Sequence, residues 1–187
     1  MYEVEVKVRA EHGTVRDRLA ELDADPLGGV TQVDTYFGAP HRDFAETDEA
    51  LRIRRETRHE DRPDAETEAQ LTYKGPLVDD DSKTREEIEA GVENGDDVTA
   101  ILESVGFDPA ATVRKDRERF AHEGFTVTLD AVTDLGEFVE VETEVADEAA
   151  VDAAREDAFE ILRTLALDPA DQIRTSYLGL LLGDSSE

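Results

Sequence analysis

The chain has 187 residues, with 48 Asp and Glu against 20 Lys and Arg, a formal net charge of −28 and no cysteine. That length fits one domain and can bury a core, while the charge excludes nonspecific binding to nucleic acid or anionic lipid unless the few basic residues are gathered in one place. The absence of cysteine excludes disulfides and thiolate metal sites, and so large an acid excess on a chain with regular apolar periodicity reads as a surface adapted to high salt, where ions screen self-repulsion.

Residues 2 to 10 alternate strictly, with Val4, Val6 and Val8 on one face and Glu3, Glu5, Lys7 and Arg9 on the other, which predicts a strand. Met1 leads into it directly, with no basic and apolar leader, and no apolar run reaches membrane-spanning length, so the expected compartment is the cytoplasm. Val15, Leu19 and Leu22 stand at helical spacing, and Asp25-Pro26 with Gly28-Gly29 predicts a loop after them. Thr31 to Phe37 and Ala50 to Arg55 read as strands, and the polar run 56 to 69 as an exposed hairpin loop. Strand character returns from Gln70 to Lys74, is expected to stop at Gly75-Pro76, passes an acidic loop at Asp79 to Asp81 and resumes from Thr84 to Ala90.

Val98, Ile101, Leu102 and Val105 mark a short amphipathic helix that Gly106 is placed to end. Three strands follow, Val113 to Ala121, Phe125 to Ala131 and Glu137 to Val145, with Glu123-Gly124 and Leu135-Gly136 as turns. Val151, Ala154, Ala158, Leu162 and Leu165 outline one further helix, and Asp168-Pro169 is expected to open another carrying Ile173, Tyr177, Leu180 and Leu181. No repeat or linker divides the chain, so residues 1 to 187 read as a single domain whose C-terminal helices, 147 to 183, pack on the strands.

A single polar strand face is ordinarily the wet side of a sheet. Here the faces repeat: Arg52 with Arg54, Thr72 with Lys74, Arg85 with Glu87 and Glu89, Lys115 with Arg117 and Arg119, Thr126 with Thr128 and Asp130, and Glu140 with Glu142 and Glu144. An acidic chain thus places its scarce cations on strands, opposite faces that are aliphatic. Polar-in and apolar-out, with amphipathic helices covering the outside, predicts an α+β fold: a closed antiparallel β-barrel of about eight strands with flanking α-helices. An outer-membrane barrel shares the pattern, but interspersed helices and the lack of an aromatic girdle speak against it.

Paired carboxylates such as Glu3 with Glu5 and Glu140 with Glu142 repel one another in an enclosed lumen unless a cation lies between them. Oxygen-only ligands favour Mg2+ or Mn2+. The cations Lys7, Arg52, Arg54, Lys74, Arg85, Lys115 and Arg117 exceed what ion pairing needs, and Arg suits bidentate phosphate contact. A polyanion such as a triphosphate, with about four negative charges, fits between such walls. His12, His41, His59 and His122 are isolated and expected at the surface, and no GxxxxGK[ST] loop is present.

EVEVK at 3 to 7 resembles the ExExK signature of the CYTH superfamily, the triphosphate tunnel metalloenzymes. The resemblance continues through QVDTYF (32 to 37), HRDFAETDEALRIRR (41 to 55), LTYKGP (71 to 76), TREEIE (84 to 89), VRKDRERF (113 to 120), LDAVTDLGEFVEVE (129 to 142) and SYLGLL (176 to 181). The TYF, RDF and ALRIRR blocks are most similar to the class IV adenylyl cyclase-like branch. The resemblance implies a tunnel in which Glu3, Glu5, Glu140 and Glu142, with Asp130 as a further candidate, hold Mg2+ or Mn2+. It implies that Lys7, Arg52, Arg54, Lys74, Lys115 and Arg117, joined by Arg85, grip the triphosphate of ATP or a related compound, and that Lys7 and Glu140 are catalytic. Members include adenylyl cyclases and inorganic, thiamine and RNA triphosphatases; a noncatalytic polyphosphate or nucleotide sensor is the reading from another class. No nucleic-acid or membrane partner is expected, and the chain is expected to be a monomer or a homodimer.

Overall fold

Alternation along Tyr2–Arg9 (β1) sends Val4, Val6 and Val8 to one side of the sheet and Glu3, Glu5 and Lys7 to the other, and the same division runs through seven further strands. The computed structural model describes residues 1–59, 67–78 and 81–183. After β1 come α1 (His12–Glu21), β2 (Asp25–Gly38), β3 (Ala50–Arg58), β4 (Thr67–Leu77), β5 (Arg85–Val92), α2 (Gly95–Ser104), β6 (Asp108–His122), β7 (Phe125–Val132), β8 (Gly136–Val145), α3 (Val151–Thr164) and α4 (Tyr177–Leu182). The strands close into an eight-membered antiparallel barrel in the order β1-β5-β4-β3-β2-β6-β7-β8, so the fold is α+β as expected.

The aliphatic face is the outer one. Val6 and Val8 of β1, Val127 and Leu129 of β7 and Val139 and Val141 of β8 are buried beneath Val15 and Leu19 of α1, Ala158, Ile161 and Leu162 of α3 and Leu165 just after it. Each of the larger side chains there contributes about 1.5–3 kcal/mol by leaving water. The same barrel face carries Val4 against Val151 and Ala154. No helix among the described residues is long and apolar enough to cross a membrane.

Several strands are longer than their sequence pattern predicts: β3 runs on to Arg58, β6 begins at Asp108, and β2 and β4 take in expected breaks. β2 begins at Asp25 and takes in the expected loop through a register shift between Pro26 and Gly28. Gly28 adopts φ +95° there, a bulge conformation that favours glycine. β4 runs through Gly75-Pro76 to Leu77, with an irregularity after Lys74 that accommodates proline's missing donor. Thr57 of β3 also pairs with Thr67 of β4, so the expected loop at 56 to 69 is strand at both ends; its residues 60–66, like Asp79 and Asp80 of the expected acidic loop, lie outside the described residues.

The barrel has one weak seam. β1 pairs with β8 along its whole length but with β5 only at Tyr2↔Glu86 and Glu3↔Arg85. Beyond that point Lys83 N donates to Glu5 O at 3.1 Å and Ile173 N to Lys7 O at 2.7 Å, so coil segments satisfy the open edge of β1. This corrects the helix expected from Asp168-Pro169: only a 3-10 turn forms at Pro169–Asp171, residues 172–176 run extended along the seam, and α4 begins at Tyr177 with Ser176 as its cap. Ile173 cannot join a helix while its N–H is given to β1.

Candidate active site

A cavity of about 1450 Å3 occupies the barrel and opens at one end between residues 38–50 and α4. Glu3, Glu5, Arg52, Arg54, Lys74, Arg85, Lys115, Arg117, Glu140 and Glu142 all line it. The opposite end is filled by polar side chains: Gln32 and Arg119 donate to Glu56 (2.7 and 2.9 Å), and Gln70 and Thr72 donate to Glu89 (2.7 and 3.2 Å).

The cations come from β3 to β6, each aimed inward by strand alternation and fixed by an acid or carbonyl. Arg54 grips Asp34 of β2 with two bonds, at 2.7 and 2.8 Å, and Arg52 reaches the same carboxylate at 3.1 Å. Burial alone would raise the Asp34 pKa, but these two guanidiniums hold it far below the usual carboxylate range. Lys74 lies 2.8 Å from Glu3 and 2.7 Å from Glu87. Arg85 donates to Gly75 O at 2.9 Å and Asp48 O at 3.0 Å. Lys115 and Arg117 share Asp130, at 3.0 Å for the lysine and 2.6 and 2.7 Å for the guanidinium.

The acids come mostly from the adjoining strands β1 and β8, whose register sets Glu5 against Glu142 and Lys7 against Glu140. Glu5 accepts two bonds from Lys83, at 2.9 and 3.1 Å, and Glu140 accepts from Arg117. Burial opposes ionisation of Glu140, yet Arg117, Lys115 and Lys7 hold its pKa well below the ordinary value. Glu142 behaves oppositely. Burial, aided by Glu3, Glu140 and Glu5, pushes it up to about 7 against Arg117, which stands 3.7 Å away.

Lys7 and Asp130 belong to the same cluster but not to the cavity lining. Lys7 is fully buried, donates to Thr175 O at 2.8 Å, and is brought down to about 7 by burial, reinforced by Lys83. Asp130 is fully buried and accepts from Lys115, Arg117 and, at 3.1 Å, the Tyr177 hydroxyl. Sequence reasoning missed Asp34, Lys83 and Tyr177. Asp34 alternates with Gln32 and Tyr36 and was legible on that ground, whereas Lys83 lies in coil without periodicity and Tyr177 reads as one apolar residue of a helix. His12, expected at the surface, is buried instead: Phe138 O lies 3.0 Å from its Nε2.

Among the described residues no three acidic or imidazole side chains converge to enclose an ion. Glu5 is drawn to Lys83 and Glu140 to Arg117, so an ion held between them requires those pairs to open. The donor chemistry nevertheless fits a hard divalent cation. All candidate ligands are carboxylate oxygens, and the Glu142 carboxyl, short of positive charge, is what an added cation would ionise.

The CYTH domain family model matches residues 1–177. A Methanocaldococcus jannaschii protein bearing the name "Putative adenylate cyclase MJ0240" is 38% identical over 181 residues, covering 96% of this chain and 98% of its own. The structure of PH1819 from Pyrococcus horikoshii superposes with a TM-score of 0.88 at 38% identity, over 97% of this chain and 98% of that one. HpAC1 from Hippeastrum, described as having a dominant triphosphatase activity, shares the fold at 17% identity with a TM-score of 0.65, over 97% and 95% of the two chains. With a family model spanning nearly its full length and a relative this similar, the chain belongs to the CYTH domain family.

Proposed function

We propose that this protein is a divalent-metal-dependent enzyme acting on the triphosphate of ATP, forming cyclic AMP and pyrophosphate in the manner of a class IV adenylyl cyclase. The observation that carries the reading is that the glutamates of β1 and β8 share one cavity with the cations of β3, β4, β5 and β6. The seven cations expected to exceed what ion pairing needs each have an acid or carbonyl partner, so they are not surplus charge, and a guest with about four negative charges calls for added positive charge. The cavity also continues to a mouth where Tyr36, Phe37, Pro40, Phe44 and Leu178 stand beside the ion pair of Arg42 and Glu49, with room for a nucleoside. The M. jannaschii relative's name agrees with this choice.

In this reading Arg52, Arg54, Lys74, Arg85, Lys115 and Arg117 grip the phosphates, and Asp34 and Asp130 hold the guanidiniums and Lys115 in place. Glu3, Glu5, Glu140 and Glu142 would hold Mg2+ or Mn2+, which would supply Lewis-acid activation of the attacking oxygen and positive charge for the phosphates. The ribose 3′-oxygen forms a bond to the α-phosphorus, the bond from that phosphorus to the bridging oxygen breaks, and pyrophosphate leaves along the basic wall. The hydroxyl proton passes to water in the open cavity, and Lys7, buried with its Nζ on Thr175 O, contributes positive charge behind the phosphates.

A triphosphatase is the second reading, because the charged walls by themselves touch only a triphosphate, and HpAC1 carries that activity on the same fold. Water then attacks the terminal phosphorus and orthophosphate leaves. Purified protein in high KCl with Mg2+ or Mn2+, given ATP or tripolyphosphate, separates the readings: cyclic AMP is the result expected here, and orthophosphate without cyclic AMP replaces the cyclase with the hydrolase. Tight binding without turnover of either compound leaves a noncatalytic sensor.

A further inference from the structure

Tyr177 opens α4 and turns its ring into the barrel, against the inward-facing Val113, Val132 and Phe138, with 8% of its surface exposed. Its ring centroid lies 4.3 Å from Lys7 Nζ and 5.0 Å from Lys115 Nζ, its hydroxyl donates to Asp130 Oδ2 at 3.1 Å, and Phe138 packs edge-on at 5.0 Å. Burial, with Glu140 and Asp130 adding to it, raises the phenol pKa well above its ordinary value, so the group remains a donor. A carboxylate in this place would bind both lysines strongly and would have to be displaced by an incoming phosphate. An aromatic face attracts the two ammoniums through its quadrupole without cancelling their charge. It therefore eases two like charges placed near each other and adds no further carboxylate to those already beside them, Asp130 at 3.0 Å from Lys115 and Glu5 at 4.0 Å from Lys7.

We propose that Tyr177 is a positioning residue of the triphosphate site, its ring face holding the Lys7 and Lys115 ammoniums in place on the side of the site that faces the phosphates. This rests on the proposed function, and it makes the C-terminal segment part of the basic wall. Nothing in the strand pattern provides for it, because the residue belongs to α4 and to no strand.

The test compares wild type, Tyr177→Phe and the same position carrying pentafluorophenylalanine, whose shape is close to Phe but whose ring face repels cations. Calorimetric titration with tripolyphosphate in the absence of metal, melting temperature, and kcat and KM for the turned-over substrate are measured. Tyr177→Phe is expected to bind within about threefold of wild type, and the fluorinated protein roughly tenfold more weakly, with KM raised, kcat nearly unchanged and similar melting temperatures. Equal affinity of the Phe and fluorinated proteins overturns the proposal, since a merely structural ring tolerates the exchange. If the fluorinated protein does not fold, Tyr177→Leu takes its place with the same two readings. A wild-type protein that binds no triphosphate removes the proposed function and this inference together, an outcome distinct from equal binding by the variants.

Discussion

Replacing Asp34 by Asn withdraws one negative charge from between two buried guanidiniums. Asp34 is 3% exposed, bonds Arg54 at 2.7 and 2.8 Å and Arg52 at 3.1 Å, and among the described residues Arg52 keeps Glu87, at 3.6 Å, as its other acidic partner. Removing one member of a buried pair costs about 3–5 kcal/mol, and the remaining Glu87 contact argues for about 3. For a chain of this length that is a fall in melting temperature of roughly 6–12 °C. The freed charge should attract a polyanion, so tripolyphosphate is expected to raise the melting temperature of Asp34→Asn more than that of wild type. The pH dependence has a definite sign. The Asp34 pKa is depressed in the folded protein, so its contribution is fully present above the unfolded value of about 3.9 and is lost as pH falls below that toward the folded one. The wild-type advantage over Asp34→Asn should therefore persist at neutral pH and shrink only in acid. Scanning calorimetry with and without tripolyphosphate reads all three. A drop under about 2 °C, or a ligand shift no larger than in wild type, refutes the view that Asp34 holds these arginines for an anion.

Glu140→Gln should weaken Mg2+ or Mn2+ binding by about 10–100-fold and cut turnover at least as much, by metal titration and product assay; wild-type values remove Glu140 from the site. Arg54→Ala should weaken tripolyphosphate binding by roughly tenfold or more in calorimetry, and unchanged affinity contradicts its role in the grip. Given the net charge of −28, melting temperature should rise as KCl is increased toward 1 M, where the screening length is about 3 Å. A melting temperature that falls over that range contradicts the reading of the surface as adapted to salt.

Barrel and site were legible in the sequence where strand alternation carries them. Glu3, Glu5, Arg52, Arg54, Lys74, Lys115, Arg117, Glu140 and Glu142 each stand at alternate positions of a strand, and all of them line one cavity. What escaped is set by tertiary partners. The extended path of residues 172–176 follows from the open edge of β1, and the seam arises because β5 pairs with β1 over so few residues. Asp130 shows the limit of a polar strand face as a guide: it faces inward as expected, but Lys115, Arg117 and Tyr177 surround its carboxylate and the cavity does not reach it. Ile101 and Val105 at the end of α2 likewise remain exposed, because amphipathic spacing shows which face is apolar and not how much of it a neighbour covers.

The central claim is that metal and triphosphate meet inside this barrel. Crystals grown with Mn2+ and tripolyphosphate, with diffraction collected for the manganese anomalous signal, test it directly. The account predicts manganese against the carboxylates of Glu3, Glu5, Glu140 and Glu142, with phosphate oxygens on Arg52, Arg54, Lys74 and Arg117. Manganese and tripolyphosphate found only on the outer surface, with the ion pairs of the lumen unchanged, would contradict it.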